Sequence, residues 1–166
     1  MVGLSSFLLI SFWFTRFQAQ LGALLALLMN RIGDMTFLLG IFLSISWLGS
    51  LDLISISTDL SINWDYILIS FFIAAMAKSA QVYLHLWLPY SMEGPTPISA
   101  LIHAATMVTA GVFLLLRLNQ LIIISYWLLL LMLIIGGLTA FIGGTLALVS
   151  LDLKELIAYS TMSQLG

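Results

Sequence analysis

Residues 66–97 read Tyr66-Ile67-Leu68-Ile69-Ser70-Phe71-Phe72-Ile73-Ala74-Ala75-Met76-Ala77-Lys78-Ser79-Ala80-Gln81-Val82-Tyr83-Leu84, then His85-Leu86-Trp87-Leu88-Pro89-Tyr90-Ser91-Met92-Glu93-Gly94-Pro95-Thr96-Pro97. The first part is an apolar run of membrane-helix length, since about 20 residues cross a hydrocarbon core of about 30 Å. A lysine lies inside it. The second part holds all 3 prolines of the chain, which a continuous helix does not accommodate. Together they describe a helix that enters a membrane and breaks. Such breaks are tolerated at membrane depth only where the backbone is packed in protein or lines a wet cavity.

Composition agrees with this setting. Of 166 residues, 62% are hydrophobic and 7% are charged, whereas soluble domains carry about a quarter charged residues. A soluble core of this size does not hide that much apolar surface, so lipid is the expected solvent. The formal net charge of −2 comes from scattered single charges. With no basic run to track phosphates, nucleic acid is not an expected partner. There is no cysteine, which excludes thiolate catalysis, cysteine-held zinc and iron–sulfur ligation by this chain. No glycine loop that cradles phosphate, no paired catalytic carboxylates and no metal-ligand spacing is present.

Outward from the break, Met1 to Phe14 rises only about 21 Å as a helix and reads as part of a span. Arg16, Gln18 and Gln20 make a polar connection to an apolar run from Leu21 to Leu48, interrupted by Arg31 and Asp34. Gly49 to Asp65, with Asp52, Asp59 and Asp65, reads as a water-exposed loop. Beyond the prolines, Ile98–Leu116 and Leu121–Val149 read as spans, the second offering close helix contacts at Gly136, Gly137, Gly143 and Gly144. A last helix begins near Asp152, with Asp152, Lys154 and Glu155 as its capping and solvated residues. The expected fold is all-α: a polytopic transmembrane helix bundle with one discontinuous helix. The tryptophans near span ends read as interfacial anchors. Arg16 and Lys154 against Arg117 set no positive-inside bias.

An ionisable residue inside a span costs about 2.5–3.5 kcal/mol on insertion scales, so each is a functional hypothesis by default. Lys78 sits among small residues that admit another helix or water, and a lysine kept from water holds its proton less firmly. Snorkelling to an interface is the simpler alternative. His103 lies two turns into the span after the prolines, with Thr106 on its face, and an imidazole relays protons through either nitrogen. A plain interhelical hydrogen bond is the competing reading. His85 is either interfacial or a further pathway residue. Arg31 and Asp34, spaced i,i+3, read as a structural ion pair on one helix face. Glu93 reads as a carboxylate favoured by the helix N-terminus that follows.

These residues also carry a resemblance. Ala77-Lys78-Ser79-Ala80-Gln81, His85-Leu86-Trp87-Leu88-Pro89 and Met92-Glu93-Gly94-Pro95-Thr96-Pro97 through Ala104-Ala105-Thr106-Met107 to Val112 closely resemble subunit 5 of respiratory NADH:ubiquinone oxidoreductase. Phe12-Trp13-Phe14-Thr15-Arg16, Asn30-Arg31-Ile32-Gly33-Asp34, Asp152-Leu153-Lys154 and Ile157–Gly166 agree, so the likeness runs almost end to end.

The resemblance implies that residues 1–166 are an internal portion of an antiporter-like, proton-translocating membrane domain, incomplete at both ends. It makes Lys78 the central lysine on a discontinuous helix, His103 the relay on the next helix, and Lys154 a further basic pathway residue. Flavin, iron–sulfur clusters and quinone would belong to partner subunits, with no cofactor or metal in this chain. Implied partners are other membrane-arm subunits, chains supplying the missing N- and C-terminal helices, and lipid. The implied location is the mitochondrial inner membrane, with a bacterial plasma membrane as the alternative.

There are departures. The glutamate implied as partner to Lys78 belongs just before Val2-Gly3-Leu4, outside the chain. Leu25 stands in place of a frequent lysine, Tyr90 of the usual aspartate and Glu155 of a common basic residue. Two alternatives stay open: a subunit of a multisubunit sodium/proton antiporter, and a structural membrane piece without transport of its own.

Overall fold

The computed structural model describes residues 2–48, 64–100, 106–123 and 125–166. Among these the elements are helices. They are α1 (Val2–Ile10), α2 (Phe17–Leu48), α3 (Trp64–Lys78), α4 (Trp87–Tyr90), a 3₁₀ turn (Ser91–Glu93), α5 (Thr96–Ser99), α6 (Met107–Arg117), α7 (Asn119–Ile122), α8 (Tyr126–Val149) and α9 (Leu153–Leu165). Two helices, Phe17–Trp47 within α2 and Tyr126–Val149, are long and apolar enough to cross a membrane. Their exposed residues include Leu24, Leu28, Leu38, Phe42, Leu133 and Phe141. Leucines and phenylalanines turned outward along whole helices fit a hydrocarbon solvent rather than water.

Helix α3 is the centre of the molecule. It is apolar all round, with Ile67, Leu68, Phe71, Phe72 and Ala74–Ala77 buried, as expected of a helix enclosed by others. α2 packs on one side and α6 on another. Glycines set the spacing: a Cβ on Gly33 of α2 would stand 2.6 Å from the Ala77 Cβ, and one on Gly111 of α6 would stand 2.6 Å from the Ala75 carbonyl oxygen. Only a residue without a side chain permits these approaches. Around the break, Ile10, Ala23, Ala26, Trp87, Leu88, Met107, Ala158 and Met162 form one buried cluster.

The structure revises several sequence-based boundaries. The span expected to reach Leu84 ends at Lys78, because Ala80 (φ 51°) and Tyr83 (φ 77°) are left-handed, a conformation no right-handed helix continues through. The span expected from Leu121 begins at Tyr126, after the separate turn α7. Of the exposed-loop expectation, residues 49–63 lie outside the described residues. Asp65 belongs to the first turn of α3, where a carboxylate is favoured by the helix dipole. In α8, Gly143 does meet α9, at Tyr159 and Ser163, and Gly136 meets the Gly166 carbonyl, but Gly137 and Gly144 have nothing within 4 Å. A step of one residue turns each of them about 100° away. Asp152 takes the N-cap position of α9, yet its side chain makes no capping bond. Trp87 is no interfacial anchor, for it is 0% exposed.

Candidate functional site at the helix break

The last turn of α3 leaves carbonyls that a continuing helix would satisfy, and those of Ala75, Met76 and Ala77 find donors. The Ser79 amide and hydroxyl both donate to the Ala75 carbonyl at 2.8 Å. The Gln81 amide donates to Met76 at 3.1 Å. The Trp87 indole Nε1 donates to Ala77 at 3.2 Å. The helix therefore stops at Lys78 with the three preceding carbonyls paired. Lys78 is thus held at a helix C-terminus, where the dipole favours a cation.

Lys78 does not stand alone. Its Nζ lies 2.8 Å from Asp34 Oδ1, across the α2–α3 interface, with the side chains 24% and 41% exposed. This corrects the expected Arg31–Asp34 pair. The buried positions of α2 are Ala19, Gly22, Ala23, Ala26, Asn30, Gly33, Gly40 and Ser44, a stripe at three- and four-residue spacing that turns Asp34 inward beside Gly33. Arg31 is exposed on another face, and among the described residues Asp34's ion pair is with Lys78 alone. Spacing within one helix ranks i,i+3 neighbours, but the side chain across the interface is nearer. Arg117 shares a cavity of about 300 Å³ with Asp34 and Lys78, its guanidinium 5.2 Å from the Phe113 ring centre, a cation–π distance. Its place four residues after Phe113, at the end of a span, was the sequence signal for that packing.

The other predicted residues are dispersed. His85 lies beyond the break and lines a different cavity, of about 370 Å³, with Gln18, Tyr90, Glu93, Glu155 and Tyr159. Its Nδ1 is buried and has no hydrogen-bond partner among the described residues. The left-handed turn separates it from Lys78, whose face it would share on a continuous helix. Two departures from the resembled pattern, Tyr90 and Glu155, meet at this cavity. Lys154 Nζ makes long hydrogen bonds to the Met92 carbonyl (3.5 Å) and the Gly94 carbonyl (3.4 Å), tying α9 to the 3₁₀ turn. Glu93 ends that turn and is exposed. His103 lies outside the described residues. No group of three or more His, Cys, Asp or Glu able to hold a metal occurs among the described residues. Asn30 was missed: it is 1% exposed and one helical turn before Asp34, a polar residue in an otherwise small-residue stripe.

The fold and site define an all-α polytopic membrane module with a charge pair at a helix break. The chain belongs to the NADH:quinone oxidoreductase/Mrp antiporter transmembrane family, whose profile matches residues 1–166. It is 51% identical to NADH-ubiquinone oxidoreductase chain 5 of Metridium senile over 169 residues, covering 99% of this chain and 28% of that one. It is 53% identical to the chain 5 of Rhizopus stolonifer, again over 99% of this chain and 26% of the relative. The chain thus spans about a quarter of the length of these curated relatives. Among solved structures it matches one titled as the Mrp complex from Dietzia sp. DQ12-45-1b, with a TM-score of 0.90 and 36% identity over 99% of this chain and 18% of that chain.

Proposed function

We propose that the chain is a proton-carrying portion of subunit 5 of an NADH:ubiquinone oxidoreductase, in the mitochondrial inner membrane. The observation that carries this reading is the Lys78–Asp34 contact at a broken helix end. A lysine there holds its proton while the Asp34 carboxylate faces it. It releases the proton when a neighbouring charge change weakens those contacts. NADH oxidation, flavin, iron–sulfur clusters and quinone belong to partner subunits, and this chain's share of the reaction is proton movement. His85 and Lys154 are further steps or supports of the path, and His103 is a further relay. Partners are the other membrane-arm subunits and the chain segments that complete the module.

In the assembled complex, Lys78→Ala is expected to stop proton uptake through this module while quinone reduction continues at a reduced rate. Unchanged pumping with unchanged quinone reduction would sink the proposal. The Mrp structural match favours a second reading, a sodium/proton antiporter subunit. Co-purification with flavin and iron–sulfur subunits decides for the first, and co-purification with antiporter subunits alone decides for the second.

A further inference from the structure

Helix α6 ends on Arg117, whose side chain folds back along the helix. Its guanidinium lies 5.2 Å from the Phe113 ring centre, over the turn N-terminal to its own Cα, as helical side chains lean. That sets it on the wall of the cavity of about 300 Å³ that Lys78 and Asp34 also line. The rest of the lining is apolar, with Phe37, Ala74, Ala110, Phe113 and Leu114. Phe113 is 59% exposed and Ala110 is exposed beside it, so the cavity opens on an apolar outer surface. Its charges do not balance: two cations and one carboxylate line it. The carboxylate, Asp34, is in contact with Lys78 at 2.8 Å, and Arg117 forms no ion pair among the described residues. The ring contact uses none of the five N–H donors of the guanidinium.

We propose that this cavity binds one long-chain fatty acid anion, its carboxylate on Arg117 and the first part of its chain against Phe37, Ala74, Phe113 and Leu114. A guanidinium takes a carboxylate through two parallel hydrogen bonds, and one negative charge offsets the one excess positive charge. Lys78 adds a second positive charge at the wall without leaving Asp34. A few placed polar groups in an otherwise apolar lining are the pattern of a small-molecule site. A volume of about 300 Å³ is at the small end of such sites, which suits one acyl chain and not the paired chains of a phospholipid. The ligand enters from the lipid phase, where the cavity opens. Binding needs Lys78 to be charged and does not need it to release a proton, so the site goes beyond the proton-carrying reading and stands without it.

The test is photolabelling of the assembled complex in phosphatidylcholine vesicles with a diazirine-bearing oleic acid, followed by mapping of the labelled peptides. Label is expected on the peptide that holds Ala110 to Arg117, and excess oleate should remove it while excess oleyl alcohol should not. Arg117→Gln, at the exposed end of α6, is expected to weaken labelling about tenfold or more, the scale of a hydrogen bond between charged groups. Ala110→Leu keeps every charge, fills the cavity from an exposed helix position, and should lower labelling to a similar degree. No label on this peptide, full labelling in Arg117→Gln or Ala110→Leu, or competition by oleyl alcohol equal to that by oleate overturns the site. Competition by phosphatidic acid equal to that by oleate overturns the single-chain occupant. The competition arms use the parent complex, so they decide the matter even if a variant fails to assemble.

Discussion

Replacing Asp34 with leucine is expected to destabilise the module more than replacing both members of its pair. The substitution leaves the Lys78 ammonium in a cavity walled by Phe37, Ala74 and Leu114, with no carboxylate facing it. Removing one partner of an ion pair shielded from water costs about 3–5 kcal/mol at full burial, whereas replacing both with apolar groups is often neutral. Lys78 is 24% and Asp34 41% exposed, so the cost falls below that range, between the values for buried and exposed pairs. The double variant Asp34→Leu/Lys78→Met should recover most of the lost thermal stability in detergent but none of the proton transport. A double-mutant cycle reads the coupling directly. Additive effects of the two substitutions would mean that the pair carries no energy.

Gly33→Val is expected to be the most damaging apolar substitution. Its Cβ would stand 2.6 Å from Ala77 Cβ, so α2 and α3 must separate, and overpacking of this kind costs about 1–3 kcal/mol. The harm is also local to the site, because Gly33 precedes Asp34 and Ala77 precedes Lys78. Pushing the helices apart there lengthens the 2.8 Å contact itself. Gly137→Ala is the matched control, with nothing within 4 Å of its Cβ, and should be neutral or slightly stabilising. Thermal unfolding and proton uptake should both fall in Gly33→Val and neither in Gly137→Ala. Equal behaviour of the two would contradict the packing described for α2 and α3.

Much of the architecture was legible in residue types alone. Composition named the solvent, the apolar runs placed α2 and α8, and the lysine and prolines between residues 78 and 97 marked a broken helix. The break's position was not legible. Residues 79–86 contain neither glycine nor proline, and left-handed Ala80 and Tyr83 are conformations that tertiary packing imposes against local preference. Trp87 went astray for a related reason. Tryptophan near a span end usually sits in the headgroup region, but here its indole is buried and donates to the Ala77 carbonyl at the break. The charge pairing needed knowledge of which face of α2 meets α3. The small residues at positions 19, 22, 23, 26 and 33 carried that information, and Asn30 lies among them one turn before Asp34. Reading that stripe first would have turned Asp34 toward a neighbouring helix and Arg31 away from it.

The measurement that bears most directly on Lys78 as a proton carrier is the proton yield per NADH oxidised of Lys78→Arg in the assembled complex. Arginine keeps the positive charge and its contact with the Asp34 carboxylate, so the complex should assemble with near-normal stability. A guanidinium does not give up its proton in proteins. If Lys78 works by binding and releasing a proton, the variant should be assembled, folded and unable to translocate through this module. A proton yield equal to that of the parent would show that the site needs only a fixed cation, and would contradict the account.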